Sequence, residues 1–138
     1  MFKGLTYMTK RSYSGYTLVE LMIVVAILAI LAMLAIPAYK GYVTTARQGA
    51  ARSNIENLRI AVEDYRLDNM DTGYADLNGL VWQPSGSKTL ETADPGPKWK
   101  PEGDQDMYNY KVVSTATTYT ITVTPIGHTG DAQTYTKN

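Results

Sequence analysis

At 138 residues the chain has room for one domain plus a separate arm, and 13 basic against 13 acidic residues leave no strong electrostatic footprint for nucleic acid. The absence of cysteine excludes zinc–thiolate sites, thiol catalysis and disulfide stapling. The charge is unevenly spread: the first fifteen residues hold three basic residues and no acid, so the remainder carries ten basic against thirteen acidic, a net charge of −3.

Residues 1–15 read as a basic leader, with Lys3, Lys10 and Arg11 ending at Gly15. Met8 is an alternative start to Met1 that keeps Lys10 and Arg11. Tyr16 to Ile36 follows, 21 residues in which Leu21 to Ile36 holds no polar side chain. As a helix this is about 31 Å long, enough for the roughly 30 Å hydrocarbon core of a bilayer. The basic leader places the N-terminal side in the cytoplasm and the rest of the chain outside. Glu20 puts a carboxylate inside this segment, where a charge costs roughly 2.5–3.5 kcal/mol at the helix centre and less near an end. A secretory signal peptide is a competing reading, but no Ala-x-Ala site lies between Ala26 and Ala38. A plain membrane anchor, with Glu20 snorkelling to the interface, is another.

The leader, the Gly15–Tyr16 junction, Glu20 at the fifth place after the glycine and the long apolar run closely resemble the type IV prepilin signal. That resemblance implies a filament subunit made as a precursor in the bacterial inner membrane. A membrane-embedded aspartyl peptidase cuts Gly15–Tyr16, and Tyr16 is then N-methylated. Tyr16 departs from the usual Phe, the leader is long, and the cysteine pair common in pilins is missing. The resemblance also makes Glu20 the assembly residue, its carboxylate paired with the Tyr16 ammonium of a neighbouring copy. Two such charges compensate one another where each alone is expensive. Ala26, Ala29, Ala32, Ala35 and Ala38 recur every third residue, a spacing that winds around a helix and suits several neighbours.

Pro37 lacks an N–H and predicts a helix kink just beyond the apolar run. Helical periodicity resumes with Ala51, Ile55, Leu58, Val62 and Tyr65, so helix is expected from about Thr17 to about Leu67. Arg52/Glu56 and Arg59/Glu63 are expected as i,i+4 pairs on its wet side. Asp68 to Gly73 supplies the stop and a turn. That run fails the spacing of a calcium loop, and with Asp104 and Asp106 it forms at most a site completed in space; no metal or cofactor is predicted. From Tyr74 to Gln105 four prolines and four glycines predict a long, largely irregular connection anchored by Leu77, Leu80, Val81 and Trp82. Tyr108–Val113 and Thr118–Thr124 alternate with a period of two and Gln133–Thr136 follows, predicting a three-stranded antiparallel sheet laid on the Ala51–Tyr65 stripe.

The fold expected is α+β, a type IV pilin fold by resemblance. Residues 1–15 are a cleaved leader, 16–37 the membrane and filament-core helix, 38–70 the amphipathic helix of the head, 71–106 the αβ-loop and 107–138 the sheet. His128, the single histidine, stands between Gly127 and Thr129 in a loop, and no P-loop, G-x-S-x-G or G-x-G-x-x-G occurs, so no catalytic site is predicted. The resemblance implies a pilus subunit serving adhesion, twitching motility and DNA uptake. Its partners are other pilins, the peptidase and methylase, and the assembly platform; its final place is the surface pilus. A pseudopilin of a type II secretion system shares the same signal, and a tip module binding DNA or a host ligand is a third reading. Asp94, Glu102, Asp104, Asp106 and Asp131 on the head argue against DNA.

Overall fold

The computed structural model describes residues 15–103 and 107–138. The leader cations Lys3, Lys10 and Arg11, and Asp104 and Asp106, lie outside the described residues. The chain divides into two compact units, residues 1–39 and 40–138.

Helix α1 spans Leu18–Asp68 and contains Pro37. In the first unit every described residue is exposed. An all-round apolar helix with nothing of its own chain covering it is built for lipid or for other copies. α1 is long and apolar enough to cross a membrane, and its most apolar window is entirely uncovered.

In the second unit α1 turns amphipathic. Ala51, Ile55, Leu58, Val62 and Tyr65 are buried, as the spacing predicted, and Asn54 is buried with them. The helix ends where the Asn69 amide donates to the Tyr65 carbonyl at 2.9 Å. Gly73 follows at φ +61° with its back to the Ala116 carbonyl oxygen, which a Cβ there would overlap. Only glycine satisfies both the left-handed backbone and that approach.

Residues 71–103 are more ordered than their composition suggested. They hold a 3-10 turn at Ala75–Leu77, strand β1 (Val81–Trp82) and the one-turn helix α2 (Thr89–Thr92). Strands β2 (Tyr108–Ser114), β3 (Tyr119–Pro125) and β4 (Gln133–Lys137) follow. The sheet therefore has four antiparallel strands in the order β1-β2-β3-β4, not three. A two-residue strand carries no readable period, and β1 exists because β2 offers it a partner: Trp82 lies opposite Tyr110 and Val81 opposite Lys111.

One face of the sheet, carrying Tyr110, Val112, Tyr119, Ile121 and Val123, closes on the α1 stripe. Of the four expected loop anchors, Leu77 and Trp82 are buried, whereas Leu80 and Val81 are half-buried. Leu90, Trp99 and Pro101 join them. Trp99 and Trp82 flank Tyr110 edge-on, with ring centroids 5.0 and 6.5 Å away. Aromatic pairs at such distances add to the core beyond their buried area.

Candidate functional site

Gly15, the expected cleavage residue, is exposed and lies outside the helix. Tyr16 is 84 % exposed. Thr17 and Glu20 form a capping box, whose signal in the sequence is Thr-x-x-Glu ahead of the apolar run. The Thr17 hydroxyl accepts the Glu20 N–H at 3.2 Å, and Glu20 Oε2 accepts both the Thr17 N–H and its hydroxyl at 2.8 Å. The carboxylate therefore has a structural partner inside its own chain, which offsets part of its desolvation. Both bonds fall on Oε2, leaving Oε1 clear of them. Pro37 sits within α1, and beyond it the Thr44 and Thr45 hydroxyls each donate to the carbonyl four residues back, those of Lys40 and Gly41, at 3.0 Å.

On the head, three inward residues of β4 clamp α1. The Gln133 amide donates to the Gln48 carbonyl at 3.3 Å, Arg59 stands 5.4 Å from the Tyr135 ring centre, and Lys137 pairs with Glu63 at 2.7 Å. The expected i,i+4 pairs are not the ones made. Arg59 meets Glu56 at 3.0 Å, and Glu63 is taken by Lys137, by the Tyr74 hydroxyl at 2.8 Å and by the Tyr119 hydroxyl at 3.0 Å. Helical spacing cannot anticipate partners delivered by a strand seventy residues later. Burial works against the Glu63 carboxylate, but the hydrogen bonds from Lys137, Tyr74 and Tyr119 outweigh it and hold its pKa below the ordinary glutamate value. The same bond to Glu63, with that to Tyr74, raises the Lys137 ammonium.

Asn54 pins the loop to the helix. Its amide donates to the Glu102 carbonyl and the Tyr110 hydroxyl, both at 3.1 Å, and its carbonyl accepts the Glu102 N–H at 3.0 Å. Burial pushes the Tyr110 hydroxyl pKa up to about 12. His128 is tied to the Met107 carbonyl at 3.1 Å and stands edge-on to Tyr108.

Three of the open grooves among the described residues of the head lie along its helix and the loop turn. One of about 450 Å³ runs between Asp64, Asp68 and the Asp94–Lys98 loop. A second, of about 410 Å³, lies between Arg52, Glu56 and β4. The third, of about 330 Å³, is lined by Gln83, Pro84, Ser85, Gly86, Asn109 and Ile126. Among the described residues no three of His, Asp and Glu come together as metal ligands.

A family model described as "Type IV minor pilin ComP, DNA uptake sequence receptor" matches residues 37–135. One described as "Prokaryotic N-terminal methylation motif" matches residues 10–36. No curated protein and no solved structure matches the chain. The match over the head favours a pilus subunit over the secretion pseudopilin. It also runs against the argument from head acidity, since net charge is a sum and a ligand meets only a surface.

Proposed function

The chain belongs to the ComP family of type IV minor pilins, and on that premise we propose that it is a minor subunit of a type IV pilus whose head takes part in DNA uptake at the filament surface. The family match across residues 37–135 carries this reading. The uncovered apolar arm supports it, because such a surface needs lipid before assembly and neighbouring subunits after it.

In this reading the precursor sits in the inner membrane with residues 40–138 outside the cytoplasm. The prepilin peptidase cuts Gly15–Tyr16, and the new Tyr16 amine is methylated. The Tyr16 ammonium of one copy then meets Glu20 Oε1 of another, while Oε2 stays on Thr17. An incoming subunit is held only in the register where that pair forms, because an unpaired charge in an apolar core is costly. Pro37 supplies the point at which the arm loosens as copies pack, since it removes the N–H that would bond the Met33 carbonyl.

The test combines mass and uptake. Surface material sheared from producing cells should contain an N-terminal peptide that begins at Tyr16 and carries one methyl group. Cells lacking the chain should keep surface filaments but take up markedly less DNA. Glu20→Ala should still insert in the membrane yet disappear from the sheared fraction. An unprocessed chain confined to the membrane, with DNA uptake unaffected by its deletion, would overturn the proposal.

A further inference from the structure

We propose that the sheet face turned away from α1, at its β1–β2 end, is the surface that holds the phosphate backbone of duplex DNA; this rests on the DNA-uptake reading above. The patch consists of Gln83, Ser85, Asn109, Lys111, Thr122 and Thr124.

The register builds it. Lys111 lies between Val81 and Thr122, and Asn109 lies opposite Thr124. Residues directly across an antiparallel pair have Cβ atoms about 4.5–5.5 Å apart. All four β2 and β3 side chains alternate with the buried Tyr110, Val112, Ile121 and Val123, so they share the outer face. The Gln83–Ser87 turn, closed by the Gln83 N–H on the Ser87 carbonyl at 2.8 Å, forms the wall of the 330 Å³ groove and brings Gln83 and Ser85 beside Asn109.

Charge selects the ligand. The sequence has no Asp or Glu from Leu77 to Leu90 or from Met107 to Gly130, the two stretches that supply the patch. The grooves on the helix side contain Glu56, Asp64, Asp68 and Asp94, and this one contains no carboxylate. Two other head lysines are engaged by carboxylates, Lys98 with Asp94 and Lys137 with Glu63, whereas Lys111 faces none among the described residues. Among the described residues, none of the six patch side chains makes a hydrogen bond or ion pair with the protein. The patch thus offers one ammonium, two amides and three hydroxyls with no internal partner.

That set matches the donors by which proteins hold DNA phosphates. The groove's apolar part is Pro84 and Ile126, and no aromatic side chain of the kind that centres a protein–protein interface lines it. Asp64, Asp68 and Asp94 disfavour a polyanion at the helix-side groove they line, which adds orientation. Contacts of this kind position a duplex without reading its sequence.

The full chain in detergent micelles, titrated against short fluorescent duplexes of unrelated sequence over about 50–200 mM salt, tests the assignment. Lys111→Ala should weaken all duplexes by the same factor and reduce the slope of log K against log salt by about 0.9, the value for one lost phosphate contact. Asn109→Asp, which places a negative charge in the patch at nearly constant volume, should weaken binding by more. Lys98→Ala, at the acidic groove, should leave both affinity and slope unchanged. Wild-type affinity and slope in Lys111→Ala and Asn109→Asp, with normal melting temperatures, would overturn the patch and leave the DNA reading standing. A wild-type chain that binds no duplex at the lowest salt would overturn both.

Discussion

Glu63 and Asn54 show how much of the head rests on single polar groups that an apolar pattern passes over. Glu63 gathers Lys137, Tyr74 and Tyr119 around one carboxylate. Its depressed pKa means that its stabilisation is present above the unfolded-state value, near 4.5, and is lost as pH falls through the lower folded value. The wild-type melting temperature should therefore hold from neutral pH down to about 5 and fall below that. Glu63→Gln should cost about 1–3 kcal/mol at pH 7 and flatten this acid dependence. Melts that track the wild type at both pH 7 and pH 4 would count against the cluster. Asn54 holds both backbone groups of Glu102 and the Tyr110 hydroxyl. Asn54→Ala strands those partners and should cost about 2–3 kcal/mol by denaturant titration, with faster amide exchange at Glu102. Unchanged exchange there would mean the loop is held by Trp99 and Pro101 instead.

Elements in this chain differ in how locally they are specified. The start of α1 is local: Thr17 and Glu20 cap each other within four residues. Thr17→Ala should fray that turn by about 1 kcal/mol, visible as faster amide exchange at Val19 and Glu20 in micelles. Equal exchange rates would show the cap to be idle. The end of α1 is not local, since Gly73 is required partly by the hairpin loop at Ala116, forty residues on. Gly73→Ala forces both an unfavourable φ and an overlap with that carbonyl, and should lower stability by about 1–3 kcal/mol. Its Tm should fall by several degrees; a Tm within one degree of wild type would show that the turn relaxes freely. Strand β1 is specified least by its own residues, and it is there because β2 has an edge to offer.

The whole molecule is two units with opposite relations to water. Residues 40–138 close their own core around α1, β2 and β3, while the described part of residues 1–39 buries nothing. Each large aliphatic left exposed on the arm forgoes about 1.5–3 kcal/mol of burial. The full chain is therefore expected to need detergent or lipid to remain dispersed. A chain beginning at Lys40 should sediment as a soluble monomer in plain buffer. Self-association of that shorter chain would place an assembly surface on the head as well.

What the sequence determined by itself was whatever depends on near neighbours. The apolar run, the capping pattern at Thr17 and Glu20, the Ala51–Tyr65 stripe and the alternation of β2 and β3 all follow from periods of a few residues, and the structure holds each of them. The resemblance at Gly15–Glu20 was legible for the same reason, because a cleavage and methylation signal is read in extended order along the chain. Tertiary structure alone decided the rest. It assigned Glu63 to Lys137 instead of Arg59, drew Leu90, Trp99 and Pro101 into the core, and added β1 to the sheet. It also brought Gln83 and Ser85 beside Asn109 on a head that is acidic in sum. Each of these depends on contacts between residues tens of positions apart, whose energies exist only after the chain has closed the loops between them.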